Sequence, residues 1–600
     1  MTADVEASSL RKDRLRDFSA SPRLLLLSAM AIVAGTAGAA AAWVLLKLIA
    51  LFTNLAYFQR LSVSPAHFEG MRLSAWSIAI PVVGGVIVGL IARYGSDKIR
   101  GHGIPEAIEA ILIGQSRIDA KVAILKPLSS AIAIGTGGPF GAEGPIIMTG
   151  GAIGSLFAQF FRLSAPERKT LLVAGSAAGM TAVFGTPLAA VLLSVELLLF
   201  EWKPRSFVPV VVGCVVAMLW RPWLIGSGAL FPYAGNPAMP WWGLGLCALV
   251  GVVAGLQSAL MTVCLYAVED LFRKLPIHWM WWPAIGSVAV GLGGYLDPAA
   301  LGVGYENIRL LLSGGMNMQS ALALLCDKAA IWIVALSSGT SGGVLAPLLM
   351  MGGALGSIES HYLPFGDEGF WVLIGMAAIL GGTMRAPLTS TIFAVELTGD
   401  THVLLPLLAA SVAAFGLTVL VMRRSILTER IARRGHHISR EYTIDPFLQM
   451  RVEQIMAKPV HTLAASIPAD EAIAFFMTAE GRTRHKSYPV VNEAGKLIGM
   501  VSRADVLNWM RGPVNPGATL GDLTARDDIV FAYADDLTGK LADTMAITGV
   551  ARVPILDRDT ERVVGLVALR DLIRVRALRI REERERRRLL RVGIGREATS

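Results

Sequence analysis

Residues 135–145 combine the features from which a protein can build an anion site without a fixed cation. They read Gly-Thr-Gly-Gly-Pro-Phe-Gly-Ala-Glu-Gly-Pro, so the glycines leave backbone N–H groups unobstructed and Pro145 suits the first turn of a helix. A helix that begins inside a bilayer directs unpaired N–H donors and a partial positive charge toward an anion. A fixed Lys or Arg would hold the anion too tightly, because conduction needs weak, sequential binding. The segment therefore predicts weak binding of a small anion.

Glu143 is the acidic residue of this segment. A carboxylate within an apolar stretch is costly in lipid and is a functional candidate by default. Its side chain can occupy the anion position, held by the same N–H groups, and leave when it is protonated, which would make it both a gate and a proton carrier. The alternative is an acid that simply satisfies the N-terminus of a helix. The sequence favours the gate.

Two more loops have the same composition. Residues 339–347 read Gly-Thr-Ser-Gly-Gly-Val-Leu-Ala-Pro, and residues 101–105 read Gly-His-Gly-Ile-Pro. One such loop would be explained by close packing of membrane helices, in which small residues are common. Three loops with helix-start prolines instead indicate convergence on one desolvated anion.

The segments that must hold these loops form a long-range repeat. Pro145–Ser155 resembles Pro347–Ser357, 202 residues later, and Phe184–Leu197 resembles Met384–Leu397, 200 residues later. Both copies are strongly apolar and are interrupted by Gly and Pro. Duplicated halves with broken apolar segments are typical of a transporter or channel whose site lies between the halves.

Three more charged residues lie in these apolar runs. Glu196 and Glu396 occupy equivalent repeat positions, which favours a structural role such as accepting backbone hydrogen bonds near a broken helix. Lys126 precedes the first loop, where it either raises the local positive potential for anions or extends to the membrane surface.

The composition excludes an ordinary soluble enzyme. The 600 residues have a mean hydropathy of +0.55 and 54% hydrophobic side chains, and apolar runs follow one another from about residue 23 to 422. Basic residues at 11–16 and 423–434 place both ends in the cytoplasm and account for much of the net charge of +9. The first apolar run continues past any plausible cleavage point, so it is predicted to be a retained helix.

The four cysteines are isolated and indicate neither a metal site nor a disulfide framework, and nothing indicates nucleic-acid binding.

A second tandem repeat follows the apolar region. Residues 487–505 match residues 552–571, and each copy reads strand, turn, strand and helix, after an earlier helical stretch. The Gly-x-Val-(Ser/Ala)-x-x-Asp pattern resembles a pair of CBS (cystathionine-β-synthase) domains.

The CBS resemblance implies a cleft that often binds an adenine nucleotide. In such pairs the Asp of the pattern contacts ribose hydroxyls, and the Ser or Thr three residues earlier assists at the phosphates. The first copy has Ser502 and Asp505, whereas the second has Asp571 but Ala568. A scaffold for dimerisation and gating is the alternative, and both interpretations remain open.

Taken together, these motifs resemble the CLC family of chloride channels and chloride/proton antiporters, in a form with a C-terminal CBS pair, from about residue 23 to 575. The resemblance implies an α-helical homodimer with one pore in each subunit and an inverted repeat within each subunit. It implies Glu143 as the gating residue. The residues it places around the anion are Gly101, His102, Gly103, Ile104, Pro105, Gly141, Ala142, Gly144, Pro145, Gly343, Val344, Leu345, Ala346 and Leu427.

Five of the residues depart from the family pattern. His102 stands where a Ser usually contacts the anion, so binding would become sensitive to pH unless the ring points away. Leu427 stands where a Tyr is usual, and Leu345 where a Phe is common. Ala142 replaces a basic residue. Leu197 stands where antiporters often carry a proton-transfer Glu, which favours a channel.

The predicted fold is an all-α polytopic membrane domain of two inverted repeats with broken helices, followed by an α/β tandem CBS domain. The predicted boundaries are a cytoplasmic leader 1–22, a CLC-type transmembrane domain 23–423 (repeats about 23–225 and 226–423), a linker 424–451, CBS domains 452–511 and 518–576, and a basic tail 577–600.

The predicted function is transport of chloride or another small anion across the cell membrane, with channel-like behaviour and regulation by the CBS pair. No cofactor is required, and the predicted partners are the anion, the lipid bilayer and a second copy of the chain. A proton-coupled antiporter is the alternative. A CBS-containing divalent cation transporter is less favoured because the loops present donors, whereas a hard cation needs converging oxygens. An intramembrane enzyme is discounted because the broken helices lack a hydrolytic Ser/His arrangement.

Overall fold

The computed structural model describes residues 22–66, 68, 71, 73–233, 235, 239–436, 447, 450–478, 485–511, 515, 517–525, 529–575 and 577. The chain divides into two compact units, residues 1–440 and residues 441–600. The predicted leader and basic tail lie outside the described residues, apart from residues 22 and 577.

The first unit is built from helices, and its two halves contain eight helices each within the described residues. The first half comprises α1 Arg23–Phe58, α2 Ala79–Tyr94, α3 Ile104–Leu112, α4 Ala120–Gly135, α5 Glu143–Gln159, α6 Ala165–Phe184, α7 Pro187–Leu193 and α8 Pro204–Leu224. The second half comprises α9 Gly243–Arg273, α10 Trp282–Leu296, α11 Tyr305–Leu312, α12 Met318–Ser337, α13 Leu345–Ser360, α14 Glu368–Met384, α15 Pro387–Thr398 and α16 Leu404–Val421.

Helix length separates the spanning helices from the broken ones. Among the described residues, six helices are long and apolar enough to cross a membrane. Helices α13 and α14 and the segment from α7 to Leu199 are apolar but shorter than the roughly 20 residues that a crossing needs. Their ends therefore lie within the membrane domain. Such ends are tolerated at that depth where the surrounding protein buries them.

Matching helices of the two halves pack in the same way. Helix α1 packs on α8 as α9 packs on α16, and α5 packs on α6 as α13 packs on α14. The centre consists of α6 and α14, in which residues 170–184 and 369–384 are all buried. Helices that are apolar on every side belong in such a centre. The predicted all-α membrane domain of two repeats is confirmed.

Glu196 and Glu396 join the two halves reciprocally. The carboxylate of Glu396 accepts hydrogen bonds from the backbone N–H groups of Leu188 and Ala189 at 3.0 and 2.8 Å. The carboxylate of Glu196 accepts from the backbone N–H and hydroxyl of Thr389 at 2.9 and 2.5 Å. Each acid thus satisfies the start of a short helix in the other half, which confirms the structural role predicted for both.

The first part of the predicted linker, residues 424–451, contains a helix that packs on the membrane domain. Residues Ile426–Arg433 form helix α17, in which Ile426, Leu427 and Ile431 are buried against the membrane domain. The basic and polar composition of this segment fits a helix that leaves the membrane, and the linker boundary stays a prediction. The structure pairs three of these Arg residues with acids and turns the apolar side chains inward.

The second unit contains two copies of one α/β module. Its elements are β1 Leu463–Ala464, α18 Ala469–Thr478, β2 Ser487–Val491, β3 Leu497–Ser502, α19 Arg503–Trp509, α20 Leu520–Thr524, β4 Ala532–Tyr533, α21 Thr538–Thr548, β5 Arg552–Leu556 and β6 Val563–Ala568. The sheets have the orders β1-β2-β3 and β4-β5-β6, and each has one parallel and one antiparallel pair. In register, Pro489 faces Met500 and Pro554 faces Leu566. The predicted tandem α/β region is confirmed.

Candidate functional site

Two glycines join the halves at the centre of the site. The backbone N–H of Gly343 donates to the carbonyl of Gly141 at 2.8 Å, and the N–H of Gly141 donates to the carbonyl of Gly343 at 3.2 Å. This antiparallel bridge holds the start of α5 beside the start of α13. The N-termini of two helices from different repeats are thereby held next to each other and point to the same place. Each helix brings unpaired N–H donors and a partial positive charge to it.

The carboxylate of Glu143 fills the space between these loops. The side chain is fully buried, and Oε1 accepts a hydrogen bond from the backbone N–H of Ala346 in the first turn of α13. The backbone N–H of Leu345 also interacts with the carboxylate. A Cβ atom on Gly141 would lie 1.9 Å from Oε2, and one on Gly343 would lie 2.9 Å from Cδ. Glycine at both positions therefore makes the room that the carboxylate occupies.

The loop at residues 101–105 meets the same place from α3. Gly101 and Gly103 have φ angles of 84° and 90°, in the region that favours glycine. A Cβ atom on Gly144 would lie 1.8 Å from the carbonyl oxygen of His102, so the backbones of the two loops are in contact. The structure thus brings together the three loops singled out in the sequence. Ile104, Pro105, Ala142, Pro145, Val344, Leu345 and Ala346 are all buried there.

Buried lysines hold the loops through carbonyl groups. Lys126 Nζ donates to the carbonyls of Ile99 and Gly101 at 2.7 and 2.6 Å and is fully buried. It does not extend to the membrane surface, which was one of its two predicted roles. Lys328 in α12 donates to Ala300 and Gly302 at 2.8 Å each and is equally buried. Both ammonium groups meet the need of a buried cation for hydrogen-bond partners.

Lys328 and the loop it holds were missed by the sequence reasoning. Lys328 follows Lys126 by 202 residues, the spacing of the main repeat. Gly302 and Gly304 have φ angles of 61° and 80° and repeat the two glycines at 101 and 103. Residues 302–305 are therefore a fourth loop, which lacks the helix-start proline by which the others were found. The repeat spacing was the signal that identifies it.

Helix α17 is clasped to the first loop. Glu106 Oε2 accepts from the N–H of Gly103 at 3.0 Å, and Glu106 Oε1 pairs with Arg430 Nε at 3.2 Å and with Arg434 at 3.5 Å. Glu106 is thus both the cap of α3 and the partner of two cations from α17. Leu427, in the first turn of α17, is fully buried in the same core.

His102 lies inside this charged cluster. Its side chain is 2% exposed, and Nδ1 has no hydrogen-bond partner among the described residues. The charges of four groups act on the ring, those of Glu106, Arg430, Lys126 and Arg434. The titration predicted for His102 stays a prediction.

Leu197 lies in the π-helical turn Ser194–Leu199 that follows α7. Its side chain is fully buried among apolar residues. A π turn often marks a place where a helix is adjusted for function.

In the CBS unit, the predicted nucleotide residues act as helix caps. Asp505 Oδ2 accepts from the N–H and the hydroxyl of Ser502 at 2.8 and 2.5 Å, and Asp571 Oδ2 accepts from the N–H of Ala568 at 2.9 Å. Ala568 has no hydroxyl, so the second module does not repeat the full set of contacts. These residues fit an adenine nucleotide in part, and the nucleotide stays a prediction.

Comparison with known proteins gives matches over both units. A family model described as voltage gated chloride channel matches residues 84–418, and a CBS-domain model matches residues 452–512 and 520–578. The voltage-gated ClC-type chloride channel ClcB of Escherichia coli O81 (strain ED1a) is 31% identical over 374 residues, which cover 60% of this chain and 88% of that protein. ClcB of Escherichia coli O157:H7 matches with the same identity and coverage.

Solved structures share the fold. A slow cyanobacterial Cl⁻/H⁺ antiporter superposes with a TM-score of 0.60 at 22% identity and covers 69% of this chain and 99% of its own. A eukaryotic CLC transporter has a TM-score of 0.54 at 19% identity and covers 91% of this chain and 97% of its own. A CLC-type fluoride/proton antiporter has a TM-score of 0.57 at 18% identity, with coverage of 68% and 98%.

Substitution of Gly141 tests the fit of the carboxylate. The added methyl group of Gly141→Ala would collide with Glu143 Oε2 and force the side chain or the loop to move, which destabilises the protein by roughly 1–3 kcal/mol. We expect a lower melting temperature in detergent, measured by tryptophan fluorescence. Gly416→Ala in α16 is the matched control, because no atom lies within 4 Å of the added Cβ. Equal melting temperatures for the two variants would contradict the packing described here.

Proposed function

Because this chain belongs to the family of voltage gated chloride channels (CLC) and carries two CBS domains, we propose that it moves chloride or another small anion across the membrane along the loops at 101–105, 141–145 and 343–347. The observation that carries the proposal is the position of the Glu143 carboxylate. A negatively charged group lies buried between the starts of two helices and accepts a backbone N–H from the far repeat. A place that holds a carboxylate in this way suits a halide, since both are bound by N–H donors.

Glu143 is the gate of this pathway. Its deprotonated carboxylate competes with the anion for the donors at the start of α13, among them the N–H of Ala346. Proton uptake removes the negative charge and with it most of the attraction to these donors. The side chain then leaves, and the anion takes its place. The alternative is that Glu143 only caps its own helix. This alternative is less favoured because the carboxylate accepts a hydrogen bond from the start of α13, a helix of the other repeat.

The pathway is channel-like in this proposal. Leu197 is apolar and buried, so it offers no acid for a second proton-transfer step on the inner side. A proton-coupled antiporter is the second candidate, because Glu143 places a group that can carry a proton at the anion position itself. A divalent cation transporter fits less well, since the three loops direct N–H groups at that position.

The protein acts in this proposal as a multi-pass transport protein of the cell membrane and not as an enzyme, with both termini in the cytoplasm. The basic residues of α17 and of the first 16 residues support this orientation. The CBS pair regulates transport through α17, which precedes the CBS unit in the sequence and whose Arg430 and Arg434 pair with Glu106 at the first loop.

The functional unit is proposed to be a homodimer with one pathway in each subunit. Leu188 and Leu388, at matching positions of the short helices α7 and α15, are 63% and 50% exposed. The interfaces of permanent dimers are usually apolar. Equivalent exposed apolar side chains on both halves are therefore consistent with a symmetric dimer interface. The mass of the detergent-solubilised complex by light scattering is expected to be twice that of the chain. A monomer at all protein concentrations would reject the dimer.

Anion flux should depend on pH through Glu143. Protonation of the carboxylate frees the anion position, so we expect chloride efflux from liposomes to rise as the pH falls. Glu143→Ala removes the competing carboxylate, and its efflux should be high and nearly independent of pH. Glu396→Gln is the control, because this acid of an apolar segment caps α7 and bonds none of the three loops among the described residues. If Glu143→Ala kept the pH dependence of the wild type, Glu143 would not be the gate.

The reversal potential separates a channel from an antiporter. For the purified protein in a planar bilayer with a chloride gradient, we expect the same reversal potential with and without a proton gradient. A shift caused by the proton gradient in the wild type, absent in Glu143→Ala, would establish coupled exchange and replace the channel assignment. Absence of any chloride current or flux would reject the anion pathway as a whole.

A further inference from the structure

Tyr305 opens the fourth loop's helix and takes no part in the pathway described so far. It is the first residue of α11, and it directly follows Gly304. In the first repeat, the matching place at the start of α3 belongs to Ile104, an apolar side chain that is fully buried. The second repeat thus has a phenol side chain at the position where the first repeat has an aliphatic one.

The position of Tyr305 is fixed from two sides. Its ring packs edge-on against Phe231, with 5.5 Å between the ring centroids and 74° between the planes. Its backbone follows the loop that Lys328 holds through the carbonyls of Ala300 and Gly302. A side chain held in this way loses little freedom when its tip binds something.

The hydroxyl of Tyr305 is enclosed and has no hydrogen-bond partner among the described residues. A buried hydroxyl without a partner is unfavourable, and such groups in a folded protein usually serve a purpose. Neither Phe231 nor the neighbouring loop offers it an acceptor in this structure. The hydroxyl is therefore a free donor inside the protein.

The Tyr305 hydroxyl lies within electrostatic range of Glu143. The charges of the Glu143 carboxylate and the Arg309 guanidinium both act on the Tyr305 hydroxyl. A Cβ atom on Gly304 would lie 1.8 Å from Met350 Cε, so the start of α11 packs on α13. Met350 is about one helical turn after Ala346, whose N–H holds the Glu143 carboxylate. Glu143 Oε2 also has no hydrogen-bond partner among the described residues.

We propose that the Tyr305 hydroxyl is a hydrogen-bond donor to the permeating anion at a position next to the one that the Glu143 carboxylate occupies. The proposal rests on the anion pathway proposed above and names a further residue that sets its affinity. The hydroxyl donates to the anion when the Glu143 side chain has left.

The chemistry of this chain leaves room for such a donor. His102 and Leu427 stand at two pathway positions, and neither side chain has a hydroxyl. Backbone N–H groups alone would then hold the anion. A phenol is a strong donor without a formal charge, so it adds affinity without the tight binding that a fixed cation would cause.

The cavity beside Tyr305 supplies an approach for the anion. It has a volume of about 530 Å³ and is lined in part by Phe231, Arg309 and Leu310. Arg309 lines this cavity, pairs with Glu306 at 2.6 Å, and its charge acts on the Tyr305 hydroxyl. A cation at such a mouth raises the local concentration of anions.

Chloride binding to the full-length protein tests the donor. Isothermal titration calorimetry would compare Glu143→Gln with the double variant Glu143→Gln/Tyr305→Phe, since the Gln side chain carries no competing charge. Tyr305→Phe removes one oxygen and keeps the ring that packs on Phe231. We expect the chloride Kd to rise about tenfold, as for loss of one hydrogen bond to a charged group. Tyr295→Phe in the Glu143→Gln background is the control, because Tyr295 is 48% exposed on α10.

Chloride efflux from liposomes, measured with the same proteins, separates the two proposals. If the wild type carries chloride but Tyr305→Phe leaves the Kd unchanged, the donor is rejected and the anion pathway stands. If the wild type carries no chloride, both are rejected. A melting temperature of the Tyr305→Phe variant equal to that of its parent, together with a raised Kd, establishes the donor. A Kd raised equally by Tyr295→Phe would overturn it, since the effect would not be specific to the loop.

Discussion

The pair of hydrogen bonds between Gly141 and Gly343 is the constraint on which the site depends. It joins the repeats backbone to backbone, at 2.8 and 3.2 Å, and so fixes the starts of α5 and α13 against each other. A side chain at either glycine would enter the space of the Glu143 carboxylate. The same residue type therefore makes the bridge possible and leaves room for a negative group beside it. The reciprocal caps at Glu196 and Glu396 repeat this exchange between the halves.

The buried cations of the site act on carbonyl groups. Lys126 and Lys328 each bind two backbone carbonyls, at distances from 2.6 to 2.8 Å. Carbonyls turned toward the lysines leave the N–H groups of the loops as donors for an anion. The two ammonium groups thus fix the backbone of the loops, and their N–H donors are already bonded to carbonyls. This arrangement explains how a site inside the membrane domain can attract an anion without binding it as tightly as a free ammonium group would.

Helix α17 is held to the first loop by ion pairs. Arg430 and Arg434 reach Glu106, which also caps α3 through the N–H of Gly103. A shift of α17 along its axis would therefore change the backbone of the first loop. The two CBS modules repeat one sheet order and one register.

The sequence by itself determined the membrane domain, the long-range repeat, the CBS pair and the three proline-marked loops, because these depend on apolar length and on Gly and Pro at short spacing. It did not reveal Lys328 or Tyr305, since the fourth loop lacks the proline, nor that the arginine-rich segment after residue 424 packs as α17. Only the tertiary structure decided that Lys126 binds carbonyls, that Ala346 of the far repeat holds Glu143, and that Glu106 pairs with α17. Each of these contacts joins residues far apart in the chain, and the packing of the two halves brings them together.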